Sequence, residues 1–239
     1  MKKSSAKITI MWFGHSAFLL ESASGKRVLI DPWLDNPKAP ADAKGISDVH
    51  LICVTHGHDD HLGNTIELAK RMGAPVVCIH EVGLYLKSHG VSAIEAINKG
   101  GSTERDGVRV TMVDARHSGS LDVENPPLPG GEPAGYVLRF ENGYTVYHAG
   151  DTALFGDMQL IGKLYKPDLA LLPIGDYYTM GPKEAAYACT LIKPGKVIGM
   201  HYGTAPALTG TPDLMRKHLP ASMRRLVQTL EIGISTPLS

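Results

Sequence analysis

The sequence predicts an α/β (α+β) fold in which helices cover mixed β-sheet. Short β-rich runs alternate with helical segments along the chain, which is the first observation behind this prediction. The second is that early β-rich runs are separated by short turns, whereas later ones are separated by helical segments. Turns join antiparallel strands and helices join parallel ones, so we expect both kinds of strand neighbour.

The candidate strands are short runs rich in β-branched, aromatic and aliphatic residues. They are Ile8–Phe13, Ala17–Glu21, Arg27–Asp31, Val49–Thr55, Val76–Ile79, Val108–Asp114, Tyr136–Glu141, Tyr144–His148, Leu169–Pro173 and Lys196–Met200. Ser24-Gly25 is a turn signal between two of them. Asn142-Gly143 predicts a type I′ hairpin turn between two others.

Helical periodicity is found in four segments that separate these strands. They are Leu62–Met72, Asp157–Leu164, Lys183–Leu191 and Pro212–His218. One long segment, residues 118–133, is rich in proline and glycine and is predicted to be a loop. Loops of that length in a compact domain are usually functional or mobile, and we expect this one to cover the functional site.

Composition limits the function before any motif is considered. The 239 residues suit one large domain or two small ones, with 24 Lys+Arg balanced by 24 Asp+Glu. Zero net charge argues against broad nucleic-acid binding, which depends on cations that neutralise phosphates. A hydrophobic content of 43% excludes a mostly disordered chain. Eleven histidines are the unusual feature.

The N-terminus and the cysteines predict a cytoplasmic protein. Met1–Lys7 is short and polar, and no apolar run approaches the ~20 residues of a membrane span, so we expect no signal peptide and no membrane segment. Cys53, Cys78 and Cys189 are odd in number, widely spaced and lie in apolar runs. Buried free thiols are therefore expected, since the spacing of a disulfide or zinc-thiolate site is absent.

Residues 56–61, with the sequence HGHDDH, place four potential metal ligands directly after a predicted buried strand. Side chains alternate along extended backbone, so His56 and His58 point to the same side. A helix that starts near Asp60 would turn Asp60 and His61 toward a second point nearby. This arrangement suits two metal ions better than one.

Imidazole and carboxylate ligands favour Zn²⁺, Mn²⁺ or Fe over metals that prefer soft ligands. The alternative interpretation is a polar helix start with Asp59 or Asp60 as the N-cap. Capping accounts for one aspartate and for none of the histidines.

The H-x-H-x-D-H string is carried by the metallo-β-lactamase superfamily, and the chain resembles that superfamily along nearly its whole length. The other motif positions are matched in order by Asp31, His117, Asp151 and His201. The resemblance implies a four-layer αββα sandwich with mixed sheets, formed by residues 1–239 as a single domain.

The resemblance also implies two divalent metal ions, with Zn²⁺ as the first expectation and Mn²⁺ as the alternative. The implied ligands of one ion are His56, His58 and His117; those of the other are Asp60, His61 and His201; Asp151 would bridge the two. Asp31 would orient a ligand from behind. A water that bridges the ions would be deprotonated near neutral pH, and Asp60 or Asp151 would hold and relay its proton.

Four further segments narrow the resemblance to a branch of small metal-dependent hydrolases related to L-ascorbate-6-phosphate lactonase. They are residues 14–17 (GHSA), 30–34 (IDPWL), 148–152 (HAGDT) and 200–204 (MHYGT).

These segments add residues that could lie beside the metals or contact substrate. His15 is expected near the site, with a hydrogen-bonded turn histidine as the alternative. For His148 two interpretations are kept: a role beside the metals and a role in structural packing. Candidate substrate contacts are Tyr202, Tyr177 and Thr204. The remaining histidines lack motif context and are expected at the surface or in loops: His50, His80, His89 and His218.

The resulting functional prediction is hydrolysis of a small ester, lactone or phosphorylated metabolite. Superfamily members that reduce oxygen at two irons usually carry glutamate at the position of His58, so histidine favours hydrolysis. The alternatives are a phosphodiesterase or ribonuclease, and a non-catalytic metal-binding protein. Arg224-Arg225 is too short a basic run to grip RNA. We expect a small-molecule partner and no membrane partner. Whether the chain forms a homo-oligomer is left open.

Overall fold

The computed structural model describes residues 8–238, so the polar Met1–Lys7 segment lies outside the described residues. The strands are β1 (Ile8–Trp12), β2 (Phe18–Glu21), β3 (Arg27–Ile30), β4 (Leu51–Cys53), β5 (Val76–Ile79), β6 (Ile94–Ile97), β7 (Ser102–Arg105), β8 (Val108–Asp114), β9 (Ser120–Leu121), β10 (Leu128–Pro129), β11 (Ala134–Arg139), β12 (Thr145–His148), β13 (Leu169–Pro173), β14 (Lys196–Met200), β15 (Val227–Gln228) and β16 (Thr236–Leu238). The α-helices are α1 (Asp59–Leu62), α2 (Thr65–Met72), α3 (His80–Ser88), α4 (Met158–Tyr165), α5 (Pro182–Ile192) and α6 (Pro212–His218).

Two seven-stranded sheets form the centre of the described chain. The first has the order β16-β1-β2-β3-β4-β5-β6, and the second has the order β15-β14-β13-β12-β11-β8-β7. Each sheet is mixed: β1 to β3 are antiparallel and β3 to β6 parallel, while β12 to β15 are parallel and β7, β8, β11 and β12 antiparallel. The predicted mixed α/β fold of the αββα type is confirmed.

The parallel strands β4, β5 and β13 are buried along their whole length, because helices and the opposite sheet cover their two faces. Tyr136 of β11 joins the sheets: its hydroxyl donates to the carbonyl of Val54, just beyond β4, at 2.8 Å. The Ala134 N–H donates to the Thr55 carbonyl at 3.0 Å. These two bonds fix the end of β4 against the second sheet immediately before His56.

The predicted helix Leu62–Met72 is wrong as one element, since the chain forms α1 and α2 on either side of Gly63. Gly63 has φ of 41°, and a Cβ there would lie 2.6 Å from the Pro32 carbonyl oxygen. The Asn64 Oδ1 accepts the Leu34 N–H at 2.8 Å. The interruption therefore lets the loop after β3 pack directly on the helix start.

The predicted type I′ turn at Asn142-Gly143 is also wrong. A type I′ turn needs positive φ at both central residues, but only Gly143 has one, at 81°. The Gly143 N–H donates to the Phe140 carbonyl at 2.8 Å. The central residues are therefore Glu141 and Asn142, and Gly143 takes the left-handed position that closes the hairpin.

Seven of these strands and α-helices have no counterpart among the predicted ones: α3, β6, β7, β9, β10, β15 and β16. Helix α3 follows β5 without a turn or a capping side chain, since its N-cap is Ile79, so no start signal separates the two. Strand β7 is polar and largely exposed at a sheet edge, and shows no apolar alternation.

The loop of residues 118–133 is held against the first sheet rather than free. Strands β9 and β10 pair within it, and Leu121 is buried. Leu121 packs on Gly57, where an added Cβ would also lie 2.7 Å from the Ser120 carbonyl oxygen. The Tyr85 hydroxyl of α3 donates to Glu124 at 2.8 Å.

Cys53, Cys78 and Cys189 are buried and free, as predicted. Among the helices of residues 8–238, none combines the length and the apolar character that a membrane crossing requires.

Gly162 lies where α4 meets the C-terminal end of α5, and a Cβ there would collide with the Ile192 carbonyl oxygen. We expect Gly162→Ala to lower the free energy of unfolding by about 1–3 kcal/mol, because backbone must move to admit the methyl group. Urea unfolding measures the change. Gly156→Ala is the matched control, since its Cβ would meet open space; equal unfolding midpoints for the two variants would contradict the close approach.

Burial raises the pKa of the Cys78 and Cys189 thiols to about 12 and that of Cys53 well above its usual value. At pH 8 all three are therefore protonated, and only a thiolate attacks a disulfide reagent. We expect no fast reaction with a chromogenic disulfide reagent in native buffer and three equivalents after denaturation. A fast native equivalent would show that one thiol is accessible.

Candidate metal centre

Residues 56–61 change from extended to helical backbone within a few residues after β4. His58 is the N-cap of α1 with φ of −60° and ψ of 149°, and its carbonyl accepts the His61 and Leu62 N–H groups. Its side chain makes no capping bond. Asp59 and Asp60 are the first two helical residues, so the alternative in which either one is the N-cap is wrong.

The first group of candidate ligands is His56, His58 and His117. One ring nitrogen from each lies within 4.8 Å of the others. His56 is fully buried, whereas His58 and His117 are 14% and 12% exposed. The closest pair is His56 Nε2 and His58 Nδ1, at 2.9 Å. His117 reaches them from the turn after β8, so the second sheet completes a group begun by the first.

The second group contains Asp60, His61 and His201, together with His15, again with donor atoms within 4.8 Å of one another. The His201 Nε2 lies 3.7 Å from Asp60 Oδ2, and the His61 Nε2 lies 3.8 Å from Asp60 Oδ1. His61 and His201 are buried, while Asp60 is 29% exposed. His15 contacts Asp60 Oδ2 with its Nε2 at 3.0 Å.

Asp151 lies between the two groups and is buried. Its Oδ2 lies 2.8 Å from His201 Nε2 and 3.8 Å from His117 Nε2, and its Oδ1 lies 3.3 Å from His61 Nε2. One carboxylate therefore faces ligands of both groups. The turn that carries it is tight, because a Cβ on Gly150 would collide with the Ala134 carbonyl oxygen.

Asp31 lies behind this arrangement and is fully buried. It accepts the Thr55 N–H and hydroxyl, each at 2.8 Å, and contacts His61 Nδ1 at 2.8 Å. Because an ionised carboxylate only accepts, His61 Nδ1 carries a hydrogen, and Nε2, on the side of Asp60 and Asp151, is the nitrogen left to bind a cation.

The donor atoms fit a divalent cation. Among the described residues, His61 Nε2, Asp151 Oδ1 and both ring nitrogens of His201 are buried and make no well-aligned hydrogen bond, although His201 Nε2 lies 2.8 Å from Asp151 Oδ2 and His61 Nε2 lies 3.3 Å from Asp151 Oδ1. A buried polar atom without a partner costs about 1–3 kcal/mol. A cation accepted by the three residues would remove that cost, and imidazole with carboxylate is the donor set that zinc and manganese take.

Electrostatics favour the ligand forms of several groups. Burial opposes charge on Asp151, but the neighbouring His201 and His61 rings outweigh it and hold the pKa of that carboxyl well below its usual range. Burial lowers the pKa of His56 and His117, and of His15 to about 4. These rings are therefore neutral at pH 7, the state in which imidazole binds metal.

His61 and His201 behave in the opposite way. Burial lowers the pKa of each, but the carboxylate of Asp151 raises the pKa of His201 to about 9 and, with Asp60 and Asp31, that of His61 well above 6.5. A proton on these rings offsets the carboxylate charge, and a divalent cation would displace it.

Two other predicted residues lie in packing positions. His148 is buried: its Nδ1 accepts the Gly150 N–H at 3.1 Å, so its Nε2–H donates to the Ser16 carbonyl at 3.1 Å. It joins the turn that carries His15 to the turn that carries Asp151. The half-buried Tyr202 packs its ring on Trp12, with centroids 5.3 Å apart.

The remaining candidates are divided between the site and the surface. Thr204 lies at the site, 2.6 Å from His15 Nδ1 through its Oγ1, whereas Tyr177 is exposed. His80, His89 and His218 are exposed, as predicted, although His80 and His218 belong to helices; His50 is half-buried and accepts the Arg27 N–H.

Sequence reasoning missed the part played by Thr55. Its hydroxyl donates to Asp31 and lies 3.0 Å from His56 Nδ1, so it braces ligands of both groups. The feature of the sequence that could have indicated this role is the position of Thr55 directly before the HGHDDH segment.

Comparisons with known proteins agree with this geometry. A family model described as a beta-lactamase superfamily domain matches residues 26–202. The chain is 49% identical to a UPF0173 metal-dependent hydrolase of Methanosarcina mazei, over 98% of this chain and 100% of the relative, and 47% identical to one of Rubrobacter xylanophilus, over 95% and 93%.

Solved structures show the same fold. Igni18, described as a novel metallo hydrolase from Ignicoccus hospitalis, is 34% identical with a TM-score of 0.87, over 98% of this chain and 99% of that one. An isothiocyanate hydrolase from Delia radicum gut bacteria has a TM-score of 0.76 over 97% and 99%, and at 19% identity it shows likeness of fold alone.

Asp31→Asn keeps the size of the side chain but places an NH₂ donor either against the Thr55 N–H or against the Thr55 hydroxyl and the His61 N–H. We expect the free energy of unfolding of metal-free protein to fall by about 1–3 kcal/mol. We expect divalent-metal affinity to fall by about 10–100-fold, because the His61 ring is no longer fixed. Urea unfolding and metal titration measure the two effects. Asp106→Asn, at an exposed position, is the control, and results for Asp31→Asn equal to this control would contradict the assigned role.

Proposed function

Because the chain belongs to the UPF0173 metal-dependent hydrolases of the metallo-β-lactamase superfamily, we propose that it hydrolyses a small ester, lactone or phosphorylated metabolite with two bound divalent ions. The protein is a metal-dependent hydrolase. The substrate class, the number of ions and their identity are our proposal. The observation that carries it is the convergence of two ligand groups on the buried carboxylate of Asp151.

The two groups would hold one ion each. The proposed ligands of the first ion are His56, His58 and His117; those of the second are Asp60, His61 and His201; Asp151 would serve both. Zn²⁺ is the proposed metal, with Mn²⁺ as the alternative, because nitrogen and carboxylate donors suit both. Bound divalent ions supply a water acidic enough to be hydroxide near neutral pH and a Lewis acid for a carbonyl or phosphoryl oxygen.

The different exposure of Asp60 and Asp151 indicates different roles in proton transfer and in charge balance. Asp60 is 29% exposed, so this carboxylate can exchange a proton with solvent, and its Oδ2 contacts His15 Nε2 at 3.0 Å. Asp151 is buried between histidines, which keep it ionised. Asp60 is therefore the proposed proton carrier, and Asp151 supplies fixed negative charge that balances the two ions.

The charges beside His58 favour a small substrate. Residues 118–133 lie beside His58, with Ser118 Oγ 3.4 Å and Asp122 Oδ2 3.8 Å from its Nε2. These neighbours are neutral or acidic, which disfavours a nucleic-acid backbone. A cytoplasmic location remains a prediction, to which the three free buried thiols lend support.

The test combines metal analysis with a substrate screen. We expect two divalent ions per chain in metal-replete protein and turnover of at least one member of a panel of lactones, esters and phosphorylated metabolites. His58→Ala and Asp151→Asn should each reduce that turnover by roughly 10²–10⁴-fold. His80→Ala is the matched control at an exposed histidine and should retain turnover.

Two results would overturn the proposal. Fewer than two ions per chain under replete conditions would exclude a dinuclear site. Turnover that survives both His58→Ala and Asp151→Asn would exclude the assigned mechanism. Cleavage of phosphodiesters or RNA alone would replace the small-metabolite substrate by the phosphodiesterase alternative.

A further inference from the structure

Three side chains from distant parts of the sequence form a hydrogen-bonded chain beside the second ligand group. Thr204 follows β14, His15 lies in the turn between β1 and β2, and Asp60 lies in α1. The Thr204 Oγ1 lies 2.6 Å from His15 Nδ1, and His15 Nε2 lies 3.0 Å from Asp60 Oδ2. Both ring nitrogens of His15 therefore have a partner.

The donors and acceptors of this chain have a definite direction. The ionised Asp60 carboxylate can only accept, so the hydrogen is on His15 Nε2. His15 Nδ1 then has only a lone pair to offer, and the Thr204 hydroxyl donates to it. With Oδ2 bound by His15, Asp60 has Oδ1 free to face His61 Nε2, 3.8 Å away.

The backbone and the neighbouring rings hold His15 in place. Its carbonyl accepts both the Trp12 indole N–H and the His201 N–H at 3.0 Å. Its φ is +52°, which a histidine adopts only when its surroundings impose it. The ring lies against His201, with centroids 3.8 Å apart, and meets Trp33 edge-on at 5.0 Å. His15 is thus a rigid support on which Asp60 rests.

In the part of the chain that the structure describes, the side-chain contacts of His15 reach ligands of the second group and none of the first. The first group has its own contacts: the buried Thr55 hydroxyl lies 3.0 Å from His56 Nδ1, and the exposed Ser118 and Asp122 lie 3.4 and 3.8 Å from His58 Nε2. Removal of the His15 side chain should therefore weaken ion binding at the second ligand group and not at the first.

We propose that His15, oriented by the Thr204 hydroxyl, is a positioning residue that fixes the Asp60 carboxylate and so sets the affinity of the Asp60–His61–His201 group for its ion. The His56–His58–His117 group does not depend on it. This inference rests on the proposed function, because it requires that the Asp60–His61–His201 group binds a divalent ion.

The test is titration of the metal-free full chain with Co²⁺, followed by visible absorption and by calorimetry. We expect two equivalents in the wild type. In His15→Ala, one equivalent should weaken by about 10–100-fold, the usual effect of losing a group that orders a ligand, while the other keeps its affinity and its absorption band. His80→Ala is the control and should match the wild type.

Further variants separate positioning from folding and from direct ligation. Thr204→Val should weaken the same equivalent, whereas Thr204→Ser keeps the hydroxyl and should restore wild-type affinity. Asp60→Asn should lose that equivalent by itself, and its combination with His15→Ala should show no additional loss, since the two act on one interaction. His117→Ala should weaken the opposite equivalent.

The inference is overturned if His15→Ala weakens both equivalents alike or neither, or if Thr204→Ser behaves as Thr204→Val does. It is also overturned by the following pair of results. In His15→Ala the absorption band of the weakly bound Co²⁺ shows that the ion has lost a nitrogen ligand, while Thr204→Val keeps wild-type affinity. His15 would then bind the ion directly. Wild-type uptake of fewer than two equivalents would count against the proposed dinuclear function, and a variant effect on a single Asp60-dependent equivalent would still support the inference.

Discussion

The candidate site depends above all on the buried carboxylate of Asp31. It is the first residue after β3, and it accepts the backbone N–H and the hydroxyl of Thr55, just beyond β4, together with the His61 N–H of α1. These bonds join two neighbouring strand ends and the helix start at one point. Without them, His56 and His61 would have free rings, and the spacing of the HGHDDH segment would not by itself produce a ligand group.

Backbone strain is also present at this place. His15, Asp31 and His201 all have positive φ, at 52°, 45° and 56°, and the latter two are the first residues beyond their strands. Such conformations cost of order 1–3 kcal/mol each and persist only where the surrounding structure imposes them. Here the buried strands of two sheets impose them. The strained turns direct side chains off the ends of the strands toward the space between the sheets, where Asp151 lies.

The candidate ligands and the supporting Asp31 could be predicted from the sequence, whereas Thr55 and the contact between His15 and Thr204 could not, and the reason is physical. The HGHDDH segment acts through local geometry, since strand alternation and helix start decide where His56, His58 and His61 point. The contact between His15 and Thr204 joins residues 189 positions apart and follows only from the packing of the two sheets. Helix α3 and the edge strand β7 escaped prediction because neither has a start signal or an apolar alternation. The Asn142-Gly143 turn was misread because the hairpin register, and not the dipeptide, decides which residue takes positive φ.

The exposed fractions of the proposed ligand side chains show from which side a substrate can reach them. Of the seven proposed ligands, Asp60, His58 and His117 are partly exposed, whereas His56, His61, Asp151 and His201 are buried. His15 and Trp33 close the side of the second group, and residues 118–133 border His58. A substrate that approaches the proposed ions must therefore pass between that loop and Asp60. The loop is tied to α3 through Glu124 and Tyr85, and its Ser118 and Asp122 lie beside His58, so its sequence shapes both the entrance and the surroundings of this proposed ligand. Because loops around a site determine which substrates a fold accepts, residues 118–133 are where we expect substrate selection to lie.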